Sequence, residues 1–314
     1  MSDVDELRAA VRLVCQSATH AIPSVMPIDE AYVATLMAAP PITSGLEKLP
    51  DPASRTAFVL VRDAINFGSA VHPFLVKEPG LSGARTIGHR LLAWFENDGI
   101  PSPTVLTEMT AERCAALLGQ PMLGEPWTLM HMFARAWNAF GAHVRRIAGE
   151  DYEQFVAAAN GSAMATVQLL SAVEYWDDVS KYEGTRVPFL KRARLATYGL
   201  SLCADDSRSR FDDLDVMASF ADNLIPHVLL MDGWIEVNPG LNAALVGGRQ
   251  LVHGSRAEVE LRAASVLLCE RIAQTARRAG IEISEVEVAT RLWKRGQGET
   301  YKARPRPRSL TFAY

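Results

Sequence analysis

The chain has 314 residues, of which 48% are hydrophobic and 22% charged, with a net charge of −4. That is enough apolar material for a sizeable core, and the slight acidity speaks against bulk nucleic-acid binding through a basic surface. Cys15, Cys114, Cys203 and Cys269 are dispersed in apolar contexts without metal-ligand spacing, and neither a signal peptide nor a membrane-length apolar run is evident, so a cytoplasmic protein with reduced thiols is expected.

Leu7, Ala10, Val11 and Val14 predict an amphipathic first helix. Ala57 to Arg62 is a candidate strand. Trp127, Met130, Phe133, Ala134, Trp137 and Phe140 mark a helix over 127–148. Trp234 to Val237, after the turn Asp232-Gly233, reads as a second strand. Ser255 with Glu258 forms a capping-box pattern opening a long helix that closes at Gly280. Ser284 with Glu287 is a second box, flanked by Ile283 and Val288 at staple positions. No linker run or repeat divides the chain. The expectation is a single, mainly α domain over 1–314 with a small β element.

Dinucleotide loops, P-loops and nucleophile elbows are absent from the sequence, and the seven histidines are scattered. Neither a metal site nor a cofactor is expected. What stands out is Phe220-Ala221-Asp222-Asn223-Leu224-Ile225-Pro226-His227. Leu214, Met217, Ala221, Leu224 and Val228 recur at helical spacing, and Asp222 lies about 100° round the axis from Ala221. Pro226 would break that helix four residues after the acid, exposing the Asp222 carbonyl and aiming its side chain. The plainer alternative is a polar residue at a kink, satisfied by nearby backbone N–H groups. Asp63 with Asn66-Phe67, Lys191-Arg192, and the basic tail Lys302, Arg304, Arg306, Arg308 complete the set of notable polar residues. Carboxylates, aromatics and cations together suit a nucleotide, with stacking for the base and positive charge for a phosphate.

These segments resemble the queuosine salvage proteins, also called queuosine 5′-phosphate N-glycosylase/hydrolases. The resemblance runs in order through FVLVRDAINF (58–67), DVSKYEGTRVPFLKRARL (178–195), FDDLDVMASFADNLIPHVLLMDG (211–233), RAEVELRA (256–263) and LWKRGQGETYKARPRPR (292–308). It implies a helical fold related to DNA glycosylases and hydrolysis of the bond joining queuine to ribose 5-phosphate. It places the catalytic aspartate on Asp222 and the base-stacking phenylalanine on Phe220. Asn223, Asp63, Asn66, Phe67, Lys191 and Trp293 are the further substrate-binding positions it suggests. The implied partner is a small nucleotide, with no intact nucleic acid and no membrane.

For several of these residues two roles are open. Asp63 either touches the base or caps a following helix, and Asn66 is expected to face the ligand at the end of the strand-like run. Lys191 binds the phosphate or an acid beside it, or is a solvated lysine on a helix flank. Glu260 is read as a buried partner of Arg192 or Arg262. Pro305 and Pro307 favour an extended strap, which either closes over the site or is a solvated terminus.

The sequence also departs from the family pattern. Ala289 stands where an acid is usual four residues before Trp293, and Lys294 replaces a small polar or acidic residue. Leu190 replaces a tyrosine, and Gly68 to Pro73 replaces an aromatic-rich stretch. Loss of the C-terminal acids points to altered specificity toward the charged arm of queuine, unless Glu287 or Asp63 takes over; a non-catalytic nucleoside-binding relative is the other alternative.

Overall fold

The computed structural model describes residues 3–38, 45–204 and 210–314. Helices dominate it, and its strands form two small antiparallel two-stranded sheets, as expected for a mainly α chain with a small β element. The chain clusters into two compact units. The first comprises Met1–Ile42, Val179–Arg194 and Asp213–Ser309; the second comprises Thr43–Asp178, Leu195–Asp212 and Leu310–Tyr314. Among the described residues no helix is long and apolar enough to cross a membrane.

The first unit is organised around the helix Arg256–Arg278. Val259, Leu261, Ala264, Leu268, Cys269, Ile272 and Ala273 are all buried, and so are the charged Glu258, Glu260 and Arg262. A helix buried on several faces occupies the middle of its unit. Against it lie Asp3–Ser17, Leu224–Met231 and Glu285–Arg295. The helix Asp3–Ser17 turns Leu7, Ala10, Val11 and Val14 inward, as its spacing predicts. Ala21–Pro23 pairs with Ile235–Val237, with Ile22 opposite Glu236, so the strand expected after Asp232-Gly233 is present. Val179–Tyr182 and Thr185–Pro188 form a hairpin. Its two turn residues, Glu183 and Gly184, have φ of 49° and 84°, the left-handed pair that a two-residue type I′ turn requires.

The two predicted capping boxes have different outcomes. Ser284 and Glu287 cap each other: the Glu287 N–H donates to Ser284 Oγ at 3.3 Å and the Ser284 N–H to Glu287 Oε2 at 2.9 Å. Ile283 and Val288 are both buried beside them. Ser255 does start the long helix, but its side chain makes no cap bond. Glu258 is drawn instead to the Gly254 N–H (3.0 Å) and to Arg262 (3.4 Å). The helix ends at Arg278, with Gly280 in the left-handed region at φ 78° just beyond.

The second unit is built on Gly124–Ala148, whose Trp137, Phe133 and Phe140 are fully buried. Gly141 lets the short helix Pro103–Thr107 approach closely: a Cβ there would lie 2.5 Å from the Pro103 carbonyl oxygen. The strand expected at Ala57 to Arg62 is instead part of the helix Pro52–Asp63. Asp51 caps it by accepting from the Ser54 N–H at 2.8 Å, and Pro52 opens the first turn. The run Ala57-Phe58-Val59-Leu60-Val61 is buried throughout. A short apolar run has no period that separates buried helix from buried strand; the cap before it was the discriminating signal.

Candidate active site

The segment around Asp222 is not the broken helix that the apolar spacing suggests. Leu214–Val216 is one 3-10 turn, residues 217 to 222 are buried without helix or strand, and the helix Leu224–Met231 begins after the acid. Pro226 therefore sits in the first turn. Helix N–H groups there have no intrahelical acceptor, so a proline costs nothing and pre-sets φ. The same residue that would break a helix starting upstream fits one starting at Leu224.

Asp222 performs the capping. Its Oδ1 accepts from the N–H of Leu224 at 2.8 Å and of Ile225 at 2.9 Å, and the positive end of the helix dipole favours a carboxylate there. The neighbouring-N–H alternative thus describes one oxygen correctly. Among the described residues Oδ2 accepts no hydrogen bond, and the residue is 6% exposed. One oxygen is fixed by the backbone and the other is left for chemistry.

A buried irregular segment must satisfy its own backbone, and two charged side chains do this on either side of Phe220. The Ser219 N–H donates to Glu285 Oε2 at 3.3 Å, and Glu285 Oε1 is held by Arg8 at 2.5 Å. The Ala221 carbonyl accepts from Arg262 Nε at 3.0 Å. Arg262 lies 4.0 Å over the Phe189 ring and pairs with Glu258. These positioning residues were missed in the sequence. Spacing could have found one of them: Glu258 and Arg262 are four apart and share a helix face, whereas Glu260 and Arg262, two apart, do not.

Glu260 accordingly has neither of its expected partners. Its Oε2 accepts the N–H groups of Thr19 (3.0 Å), His20 (2.6 Å) and Ala21 (3.0 Å), and Oε1 accepts the Tyr182 hydroxyl at 2.8 Å. Burial pushes its carboxyl up, but the Ala21 and His20 N–H groups and the Tyr182 hydroxyl outweigh this and hold it below the ordinary value.

Among the other predicted residues of this unit, Phe220 is buried at 2% exposure, and Asn223 is half-buried with its amide donating to the Pro307 carbonyl at 2.9 Å. Lys191 is 4% exposed, which rules out a solvated lysine on a helix flank. It opens the helix Lys191–Ser201 directly after Leu190, whose φ of 47° is left-handed and strained for a bulky side chain. Trp293 is half-buried on Glu285–Arg295, Ala289 is fully buried, and Lys294 is half-buried.

The basic tail is a strap with the unit's own anchors, not a solvated terminus. After the short helix Glu299–Lys302, residues 305 to 310 carry no regular structure. Arg304 donates to Asn242 Oδ1 at 2.6 Å, Arg306 to the Gly296 carbonyl at 2.9 Å, and the Arg308 carbonyl accepts from the Leu251 N–H at 2.7 Å. His227, fully buried, holds the Tyr301 carbonyl through Nε2 at 2.7 Å. Burial pulls its imidazole down, and with the strap arginines it outweighs the Tyr301 carbonyl, so the ring is neutral with Nε2 as donor. Asp232 accepts from the Tyr32 and Tyr301 hydroxyls at 2.8 and 2.6 Å and from Arg295 at 3.0 Å, securing the strap's start.

Asp63, Asn66 and Phe67 belong to the second unit. Asp63 is the last residue of Pro52–Asp63 and caps nothing that follows. Arg62 grips both its oxygens, Nε to Oδ1 at 3.0 Å and Nη2 to Oδ2 at 2.9 Å, and Asn66 Nδ2 adds a bond at 2.9 Å. Asn66 is half-buried just beyond a helix end, not a strand end. Phe67 is buried, its ring 5.2 Å from those of Phe133 and Phe312. Among the described residues, no group of three or more His, Cys, Asp or Glu side chains could hold a metal ion.

The family model described as queuosine salvage protein matches residues 47–314. The chain belongs to the queuosine salvage protein family. It is 29% identical over 304 residues to the queuosine 5′-phosphate N-glycosylase/hydrolase of Sphaerobacter thermophilus, covering 93% of this chain and 91% of that one. It is 27% identical over 224 residues to the bovine protein of the same name, covering 68% and 65%. A Dictyostelium discoideum protein, again of that name, is 28% identical over 165 residues, covering 52% and 51%. The matched span contains all eight residues picked out for the site, from Asp63 to Trp293.

Proposed function

We propose that this chain is an N-glycosidase that hydrolyses queuosine 5′-monophosphate, releasing queuine for reuse in tRNA modification. The carrying observation is Asp222, a buried carboxylate with Oδ1 locked by two backbone N–H groups and Oδ2 unengaged among the described residues. Cleavage of an N-glycosidic bond builds positive charge on the ribose. A fixed carboxylate oxygen stabilises that charge without having to reorganise. A 7-deazapurine lacks the ring nitrogen that purine hydrolases protonate, so help for the departing base must come from its other edges. The relatives' names, and the membership of this chain in their family, support the substrate.

In this reading Phe220 stacks on the base, Asn223 orients the strap beside the acid, and Lys191 meets the phosphate. Trp293 completes the substrate contacts of this unit. The substrate is the free nucleotide in the cytosol, not intact tRNA, in keeping with the net charge of −4. Incubation with queuosine 5′-monophosphate, followed by chromatography of the free base, tests the reading; absence of base release would overturn it.

Phe220 gives a prediction with two readouts. The residue is 2% exposed, so Phe220→Ala is expected to lower stability by about 3 kcal/mol through a cavity. It should also weaken nucleotide affinity by ~1–3 kcal/mol through loss of the stack. Denaturant melts and titration of the folded variant separate the two, and unchanged affinity would assign Phe220 to the core alone.

One observation favours a second reading, altered base specificity. The two acids that could replace the missing C-terminal ones are both occupied, Glu287 by its capping box and Asp63 by Arg62 and Asn66. Ala289 offers no charge. On this reading the chain accepts nucleotides of uncharged deazapurine precursors at least as well as queuosine 5′-monophosphate, and Lys294→Ala shifts preference back toward the charged arm. A strong preference for queuosine that Lys294→Ala leaves untouched would eliminate it.

A further inference from the structure

The buried segment that carries Phe220 and Asp222 is tied to the first helix through one carboxylate. Ser219 is fully buried in a stretch without helix or strand, so its N–H has no ladder partner. It donates instead to Glu285 Oε2 at 3.3 Å, while Glu285 Oε1 accepts from Arg8 Nη2 at 2.5 Å. Glu285 is 3% exposed. It thus links a guanidinium on Asp3–Ser17 to a backbone amide three residues before the acid. All of these residues belong to the first unit, and Arg8 lies ahead of residues 47–314, the span that the family model matches.

A carboxylate with so little solvent stays ionised only where its neighbours favour the charge. Here the neighbours pull in opposite directions. Glu270, buried on the long helix Arg256–Arg278, repels Glu285 and takes Arg12 at 3.0 Å as its nearer partner, with Arg8 Nε at 3.9 Å. Arg194 is near enough to feel Glu285 but is paired with Asp3. The Cys269 thiol is pushed up by burial and carries no charge. Among the described residues, Arg8 is the cation that pairs directly with Glu285. Burial pushes the Glu285 carboxyl up, Arg8 pulls it down by charge and by hydrogen bond, and Glu270 pushes it up again, leaving it above the ordinary carboxylate value. Neutralising it removes the charge at which both donors are aimed, and the Ser219 N–H is left with a weaker acceptor.

We infer that Arg8 is a positioning residue for the reaction, acting through Glu285 and the Ser219 amide to keep Asp222 in place and setting, from the first helix, the acid limit of activity. This rests on the proposed role of Asp222 and deepens it. The helix itself does not depend on Arg8 for its seat. Leu7, Ala10, Val11 and Val14 pack inward, and Asp3, Glu6 and Arg12 have ion pairs of their own with Arg194, Arg186 and Glu270. Arg8→Met therefore removes the charge while keeping an apolar stem over the same surface.

The test compares pH profiles of kcat/KM on queuosine 5′-monophosphate in wild type, Arg8→Met, Glu285→Gln and the double variant. Arg8→Met is expected to move the acid limb upward by about one pH unit or more, the effect of losing an arginine beside a carboxyl. In the Glu285→Gln background nothing at position 285 titrates, so adding Arg8→Met should leave the limb where it is. A loss of activity of equal size at every pH would make Arg8 merely structural. A shift that persists in the Glu285→Gln background would mean that Arg8 acts on Asp222 directly by its field. Either result overturns the relay. Hydrogen exchange of the Ser219 amide gives a readout that needs no substrate: corrected for the intrinsic rate, its protection should collapse at a higher pH in Arg8→Met than in wild type. If wild type releases no base, the glycosidase reading has failed and exchange still decides the coupling. The shifted collapse upholds it, and identical protection in the two proteins rejects it.

Discussion

Asp222→Asn is expected to lower turnover of queuosine 5′-monophosphate by ~10²–10³ or more, the scale of one directed electrostatic or acid–base group, while leaving the fold intact. The structure explains why the two effects separate. Oδ1 carries the structural work, accepting from Leu224 and Ile225, and an asparagine oxygen caps a helix as well as an aspartate oxygen does. Oδ2 carries the charge and is replaced by an amide that cannot stabilise a cationic sugar. Single-turnover rates and a thermal melt of the same preparation check both halves. A variant with near-normal turnover would remove Asp222 from the chemistry, and one that fails to fold would show that its charge, not its shape, holds the helix start.

The largest stability effect is expected at a residue outside the chemistry. Glu260→Ala would leave the buried Ala21 N–H and the part-buried N–H groups of Thr19 and His20 without their acceptor, and the Tyr182 hydroxyl with only the Ser17 carbonyl at 3.4 Å. At ~1–3 kcal/mol for each unsatisfied buried group, partly relieved by water, the loss is about 3–5 kcal/mol. Chemical denaturation measures it, and a loss below about 1 kcal/mol would mean that the turn after the first helix re-pairs elsewhere. The same carboxylate has a pH signature. Its folded value is depressed, so its contribution is complete above the unfolded value of about 4.3 and is lost as pH falls through the folded one. Wild type should lose stability progressively below that point. Glu260→Gln should start lower at neutral pH and show a shallower acid dependence; parallel curves for the two proteins would contradict the assignment.

Much of the helical architecture was legible in the chain. Strong 3.6-residue spacing in Asp3–Ser17 and Gly124–Ala148, and the Ser284–Glu287 box, are signals whose partners lie within a few residues. Apolar spacing alone misled in two places. At Ala57 to Val61 every residue is buried, so no face was distinguishable. At Leu214 to Val228 helix-like spacing crossed a buried irregular segment, and Pro226 was read as an ending when it belongs to a beginning.

By itself, the sequence determined a mainly helical chain of the queuosine salvage protein family and singled out Asp222 as its distinctive acid. Those conclusions rest on local periodicity, caps and the order of motifs, all of which are written along the chain. Only the tertiary structure decided what each charge does. It assigned Glu260 to the Thr19–Ala21 backbone, Glu285 and Arg262 to the carbonyl and N–H flanking Phe220, and the Arg306–Arg308 strap to the neighbourhood of Asp222. A buried charge takes whichever partner the fold brings within about 3 Å, and those partners lie 41 to 241 residues away, beyond the reach of any local pattern.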